Sequence, residues 1–145
     1  MKNVIYVLNG PNLNLLGTRE PEIYGKENYS ALVGMIKDSA KKNDVRVKIY
    51  QSNHEGVLVD KIHEAYRRGA MGIIINPAAY THTSIALLDA VKSVSIPCVE
   101  VHISNPSERE EFRKESFIGR AADNRICGHG LNGYVEALEW IVSNK

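Results

Sequence analysis

The chain has 145 residues, of which 43% are hydrophobic and 24% are charged, and its formal net charge is +1. This length and composition are typical of one folded domain, and the near-zero charge gives no electrostatic basis for binding nucleic acid or a membrane surface. No apolar run is long enough for a transmembrane helix and the N-terminus lacks the features of a secretory signal, so we expect a cytoplasmic protein with reduced Cys98 and Cys127.

Short apolar runs alternate with amphipathic segments along the chain, which predicts alternating strands and helices. Val4–Leu8 is a continuous apolar run typical of a buried strand, whereas Val45, Val47 and Ile49 alternate with charged residues as in a more exposed strand. In chain order, the predicted elements are a strand at 4–8, a helix at about 28–42, a strand at 45–49, a helix at about 56–69, a strand at 72–76, a helix capped by Thr83 or Ser84, a strand at 96–102, a short charged helix at 107–112, a short strand at 125–127 and an amphipathic last helix from about 131 to 142.

This alternation predicts the fold class. Apolar strands joined by helices form a parallel sheet that is covered on both faces, and right-handed crossovers then give a doubly wound, flavodoxin-like three-layer α/β sandwich with five parallel strands. We expect one domain over residues 1–145. Ligands of such sheets bind beyond the carboxyl ends of the strands, so the loops that follow the strands should carry the functional residues.

The fourth predicted strand ends in two polar residues, Glu100 and His102, among valines. Side chains two positions apart on a strand project from the same face, so Glu100 can accept a hydrogen bond from one ring nitrogen of His102 and orient the other. The alternative is a core strand whose polar pair is satisfied by its neighbours.

The loop after the first strand is unusually long and runs to Gly25, which is typical of a functional lid, here at about residues 18–26. Within it, Arg19 next to Tyr24 would lower the pKa of the phenol and turn it into a general base. The alternative is that Tyr24 packs on the surface and Arg19 pairs with Glu20 or Glu22.

Further polar side chains follow the third and fourth strands. Asn76 and His82 flank a loop rich in hydroxyl groups, and the charged segment after the fourth strand offers Arg113 as a donor to an oxygen-rich ligand, unless it pairs only with Glu110. The five histidines lack the spacings of zinc sites, so we expect no metal. Many donors with a separate acid and base suit a small polyhydroxylated acid and a dehydration.

With these residues in view, the chain resembles the type II 3-dehydroquinate dehydratases over nearly its whole length. Five motifs in the same order carry the resemblance: Leu8–Asn14 with Tyr24-Gly25, Gln51–Gly56, Asn76-Pro77 with His82–Ser84, Glu100–Asn105, and Arg109–Arg113. The resemblance implies a flavodoxin-like fold and the reversible anti elimination of water from 3-dehydroquinate, giving 3-dehydroshikimate through an enolate, in the shikimate pathway. It also implies a homo-oligomer, a dodecamer built as a tetramer of trimers, and neither cofactor nor metal.

The resemblance implies catalytic roles for five residues. Tyr24 matches the base that removes the C2 proton, with Arg19 favouring its phenolate. Asn12 matches the residue that holds the water stabilising the enolate. His102, oriented by Glu100, matches the acid that protonates the departing C1 hydroxyl.

The resemblance also implies which residues bind the substrate. The carboxylate site would be the backbone amides of Ile103 and Ser104 with the Ser104 hydroxyl, and Asp89 would be lent by a neighbouring subunit. The contacts to substrate hydroxyls match Asn76, His82 and Arg113.

Two departures from the family pattern lie near these positions: Leu88 stands where many members carry Arg, and Ala78 replaces a frequent Gly. Leu88 puts the subunit contact around Asp89 in question. Two other function classes are open at this point, a non-catalytic binding module for a hydroxy acid and a nucleotide-binding regulator. The chain lacks the phosphate-binding loop that a nucleotide-binding regulator would need.

Overall fold

The computed structural model describes residues 3–18 and 27–144. Within them, five strands form one parallel sheet in the order β2-β1-β3-β4-β5. This order is that of the flavodoxin-like doubly wound sheet, so the predicted fold class is confirmed. The strands are β1 (Val4–Asn9), β2 (Arg46–Gln51), β3 (Gly72–Asn76), β4 (Cys98–His102) and β5 (Asn124–Cys127).

Four α-helices in the described residues pack on the sheet, and their ends follow from local chemistry. Asn28 and Ser84 cap two of them, each accepting a hydrogen bond of 2.9 Å from a backbone N–H of the first turn. Ser84, and not Thr83, is therefore the cap that the sequence left open. Within 3–18 and 27–144, no helix is both long enough and apolar enough to cross a membrane. The helices are α1 (Tyr29–Lys42), α2 (Glu55–Arg67), α3 (Ile85–Ser93) and α4 (Asn132–Ser143).

The two faces of the sheet have separate cores, because successive side chains of a strand point to opposite faces. Helices α1 and α4 cover one face, and helices α2 and α3 cover the other. At the carboxyl ends this alternation continues into polar residues. Asn9 and Asn76 belong to the α1/α4 face, whereas Glu100 and His102 belong to the α2/α3 face. The strand ends therefore bring polar groups from both faces to one edge.

The segment after β4 differs from its prediction. Instead of one helix at 107–112 it contains two 3₁₀ helices, Pro106–Glu108 and Glu111–Arg113. Arg109 between them has an extended backbone (φ −106°, ψ −157°), which interrupts the helix. Helices this short lack the length to offset nucleation, and the prediction of one continuous helix was wrong. Apart from Thr18, the predicted lid at 18–26 lies outside the described residues.

Candidate active site

A cleft of about 80 Å³ lies at the carboxyl ends of β1, β3 and β4. The winding of the sheet reverses between β1 and β3, which is where ligands bind in open α/β sheets. A wider groove of about 830 Å³ lies between α1 and α4 and shares no lining residue with the cleft. We place the candidate site at the smaller cleft because the polar strand ends meet there. Its lining is Pro11, Asn12, Leu13, Asn76, Ala78, Ala79, His82, His102, Ile103, Ser104, Pro106, Arg109 and Arg113.

The side chain of Asn76 is fixed by a buried chain of hydrogen bonds. Its Oδ1 accepts from the backbone N–H of Ala78 (3.1 Å), and its Nδ2 donates to the hydroxyl of Tyr134 on α4 (3.0 Å). That hydroxyl donates in turn to Oδ1 of Asn9 (2.7 Å), whose Nδ2 donates to the hydroxyl of Tyr29 (3.3 Å). Burial raises the pKa of Tyr134 far above its ordinary value, so its hydroxyl keeps its proton.

Glu100 and His102 form the pair that the period-2 pattern predicts. Nε2 of His102 donates to Oε2 of Glu100, and both residues are buried. Because Nε2 is used in this bond, Nδ1 is the ring nitrogen available to a ligand in the cleft. The pair can therefore present a histidine with a fixed ring orientation to a bound molecule.

Two further groups hold the Glu100 carboxylate. The Ser116 hydroxyl donates to Oε2 (2.8 Å), and Nε of Arg125 on β5 lies 3.3 Å from the same oxygen. Burial raises the pKa of Glu100, but the hydrogen bond and charge of His102, the charge of Arg125 and the Ser116 bond outweigh it and leave that pKa below its usual value. The buried carboxylate is thus ionised and compensated.

His82 presents an acceptor to the cleft. Its Nδ1 lies 2.7 Å from the carbonyl oxygen of Glu115, and since a carbonyl only accepts, Nδ1 carries the proton and Nε2 is the acceptor in the neutral ring. Burial lowers the pKa of His82, as do the charges of His102 and Arg113. The neutral ring is favoured, and it can accept a hydrogen bond from a hydroxyl group.

Two arginines close the cleft on the side of the segment after β4. Nε of Arg113 donates to Oε1 of Glu110 (3.0 Å), so the ion pair considered as the alternative is present, although Arg113 also lines the cleft. Nε of Arg109 lies 3.9 Å from the same oxygen, and Arg109 is a second lining arginine. Guanidinium groups at this position suit a ligand rich in oxygen atoms.

Backbone geometry fixes the two loops that face each other across the cleft. The carbonyl oxygens of Ile103 and Ser104 accept hydrogen bonds from Gly130 (3.1 Å) and Gly128 (3.2 Å). On the other side, Asn12 has a left-handed backbone (φ 70°), a conformation that asparagine tolerates better than most residues. Backbone hydrogen bonds therefore fix the loop at Ile103 and Ser104, and a left-handed residue shapes the loop at Asn12.

Most of the predicted site residues are brought together. Those that line the cleft are Asn12, Asn76, His82, His102, Ile103, Ser104 and Arg113, with Glu100 directly behind His102. Asp89 is exposed on α3 and does not line the cleft of this chain. Tyr24 and Arg19 lie outside the described residues, and their roles stay predictions.

Sequence reasoning missed the residues that support the site. Tyr134 lies in the predicted amphipathic last helix, and nothing in that pattern separates a tyrosine that anchors Asn76 from one that only packs. Ser116 lies in a loop and Arg125 on β5, and both contact Glu100 on β4. A single sequence shows neither how that loop packs nor how β5 is aligned with β4. Within the described ranges, no group of three or more His, Cys, Asp or Glu side chains could hold a metal ion.

Comparison with known proteins agrees with this geometry. Residues 3–142 match the family model described as Dehydroquinase class II. Two curated relatives carry the name 3-dehydroquinate dehydratase: that of Rhodopseudomonas palustris is 51% identical over 99% of this chain and 95% of its own, and that of Variovorax paradoxus is 52% identical over 98% and 99%. The crystal structure of the type II dehydroquinase from Butyrivibrio crossotus superposes with a TM-score of 0.94 at 54% identity, covering 95% of this chain and 96% of the other.

The chain belongs to the class II dehydroquinase family. The resemblance that the five motifs indicated is thereby confirmed, and so is the enzyme class, the hydro-lyases that the family's members represent. Four of the five motifs contribute lining residues to the cleft although they lie far apart in the chain, whereas no residue of Gln51–Gly56 lines it.

Proposed function

We propose that this protein removes water from 3-dehydroquinate by a reversible anti elimination, giving 3-dehydroshikimate through an enolate, as a step of the shikimate pathway of aromatic amino-acid biosynthesis. The names of its relatives support the substrate. The observation that carries the proposal is the Glu100–His102 pair at the cleft, because it supplies an oriented proton donor where an acid is needed. The reaction uses neither cofactor nor metal.

The base is Tyr24, on a lid at about residues 18–26, with Arg19 favouring its phenolate. The phenolate takes the proton from C2, which the neighbouring ketone acidifies, and the electron pair left behind forms the enolate. A group of this kind contributes on the order of 10²–10⁴-fold to the rate. Asn12 holds the water that donates to the enolate oxygen, and its place in the lining of the cleft supports this role.

The acid is His102. When the enolate collapses, the C1 hydroxyl leaves as water with a proton from Nδ1 of His102, and the C1–C2 double bond forms. Glu100 stabilises the charged ring before transfer and keeps Nδ1 toward the cleft, which the bond from Nε2 supports. The donor and the base act on opposite faces of the ring, as an anti elimination requires.

The substrate is held by donors and acceptors of matching type. The amides of Ile103 and Ser104, with the Ser104 hydroxyl, bind the carboxylate, while Asn76, His82 and Arg113 bind the hydroxyl groups. The neutral His82, with Nε2 as acceptor, and the fixed Asn76 support these contacts. Asp89 reaches the site of a neighbouring subunit in a dodecamer, a tetramer of trimers, and its exposed position on α3 leaves it available for such a contact.

The test is turnover of 3-dehydroquinate, followed by the ultraviolet absorbance of the conjugated product with a metal chelator present. We expect chelator-resistant turnover that is lost in Tyr24→Phe and in His102→Gln. Tyr66→Phe and His63→Gln make the same chemical changes at exposed positions of α2 and serve as controls. Light scattering on the eluting protein measures the mass of the assembly.

Each result has a defined reading. Full activity of Tyr24→Phe would remove Tyr24 from the mechanism, and full activity of His102→Gln would do the same for His102. Tight binding of 3-dehydroquinate without turnover by the folded wild type would refute the enzyme and favour a binding module. A mass of one subunit would refute the assembly and the role of Asp89.

A further inference from the structure

The register between β4 and β5 sets Arg125 beside Glu100. The two residues are paired across the ladder, so their side chains project from the same face of the sheet. Nε of Arg125 lies 3.3 Å from Oε2 of Glu100, and the Arg125 side chain is 38% exposed. The edge strand β5 thus places the permanent positive charge of Arg125 beside the completely buried carboxylate of Glu100.

All three groups that hold Glu100 meet a single oxygen. Oε2 faces His102, Ser116 and Arg125, whereas the buried Oε1 has no hydrogen-bond partner among the described residues. A Cβ atom on Gly119 would lie 3.0 Å from Oε1, so the backbone there closes the space beside it. The carboxylate has one orientation, and it depends on the donors around Oε2.

The charge balance around Glu100 makes Arg125 decisive. On β4 and β5, burial raises the pKa values of the Cys98 and Cys127 thiols, so both are neutral. Asp123 accepts from the backbone N–H of Cys98 (2.8 Å) and adds negative charge. The other titratable groups that face this region are His102 itself, and His82 and Arg113 from the far side of the cleft. Arg125 is the group with a permanent positive charge in direct contact with the carboxylate.

We propose that Arg125 is a positioning residue of this enzyme: it keeps Glu100 ionised and aimed at His102 and does not contact the substrate. That it does not contact the substrate follows from its absence from the lining of the cleft and from its contact with Glu100, which lies behind His102. The proposal rests on the proposed role of His102 as the acid. Without Arg125, a buried carboxylate that is less compensated takes up a proton at higher pH and no longer accepts from Nε2.

The test compares Arg125→Met with Arg125→Lys and with Arg46→Met, which removes an arginine from the opposite edge strand β2. The first readout is the titration of the Glu100 side-chain carboxyl carbon by NMR. We expect its midpoint to rise by about one pH unit in Arg125→Met, to return toward the wild-type value in Arg125→Lys, which keeps the charge, and to stay unchanged in Arg46→Met.

The second readout is the ratio of wild-type kcat to Arg125→Met kcat as a function of pH, because ionisations common to both proteins cancel in it. We expect this ratio to grow as the pH falls below neutrality, while KM stays within about twofold since Arg125 does not line the cleft. A purely structural role would lower kcat by the same factor at every pH.

The proposal is overturned if the Glu100 midpoint is the same in Arg125→Met and the wild type, if Arg125→Lys titrates like Arg125→Met, or if the kcat ratio is constant with pH. If Arg125→Met does not fold, Arg125→Gln replaces it, and its midpoint must exceed that of Arg125→Lys. The NMR titration needs no substrate. A wild type without turnover would therefore refute the proposed function while the titration still decides whether Arg125 sets the ionisation of Glu100.

Discussion

The hydroxyl of Tyr134 offers the sharpest test of how the cleft is supported. Tyr134→Phe removes one oxygen atom and leaves two buried groups, Oδ1 of Asn9 and Nδ2 of Asn76, without the partner they have at 2.7 and 3.0 Å. A buried polar group left unpaired costs about 1–3 kcal/mol. Asn76 Oδ1 keeps its bond to Ala78, which moderates the loss. We expect the free energy of unfolding to fall by about 3 kcal/mol in total.

Urea denaturation at fixed protein concentration measures this change, and a thermal scan should show a Tm lower by roughly 10 °C. Tyr66→Phe is the matched control, because Tyr66 is 56% exposed and the substitution is the same. We also expect KM to rise in Tyr134→Phe, since the amide of Asn76 loses its anchor, and to stay constant in the control. If the two variants unfold within about 0.5 kcal/mol of each other, the hydrogen-bond chain does not support the cleft as argued.

Three further predictions concern the same cleft. Gly10→Ala would put a Cβ 2.4 Å from the carbonyl oxygen of Pro77, so the free energy of unfolding in urea should fall by about 3 kcal/mol. An unchanged free energy of unfolding would show that the backbone at Pro77 can move away from the new Cβ. Ala78 has φ 53°, so Ala78→Gly relieves backbone strain, and this relief exceeds the added entropy of the unfolded chain. The free energy of unfolding should rise by roughly 0.5 kcal/mol, which raises the urea midpoint. A lower midpoint would contradict this prediction. Burial lowers the pKa of His82 from 6.5, so the unfolded chain binds more protons than the folded one, and the free energy of unfolding should drop as the pH falls below about 6.5. In unfolding experiments at several pH values, His82→Gln should show a weaker dependence on pH. An equal dependence in both proteins would contradict this prediction.

Much of the fold was predictable because β1 and β3 are buried on both faces and appear in the sequence as apolar runs, while β4 places its two polar residues among valines in a two-residue repeat. The start of α1 after Asn28 was equally predictable, because the Asn28 side chain caps the helix. The end of α2 before Gly69 was predictable because Gly69 adopts a left-handed backbone with φ 68°. The segment after β4 was not, because whether a short charged run forms one helix or two 3₁₀ turns depends on what it packs against.

The candidate site divides in the same way. The Glu100–His102 pair follows from the two-residue repeat of a strand, and this repeat is visible in the sequence itself. The contact of Arg125 with Glu100 requires the register of β4 against β5, and the role of Tyr134 requires knowing which helix faces Asn76. Such relations arise only when distant segments pack, so the supporting residues of this site were beyond the reach of pattern alone.

The bond between Asn9 and Tyr134 joins residues 125 positions apart in the chain. During synthesis β1 is made early, and Oδ1 of Asn9 at its end has no Tyr134 hydroxyl to accept from until α4 has been made. Loop closure over such a separation is slow compared with the formation of a local helix. A chain that ends before α4 therefore contains all five strands but lacks the Tyr134 hydroxyl, so the hydrogen-bond chain that fixes Asn76 at the cleft is incomplete.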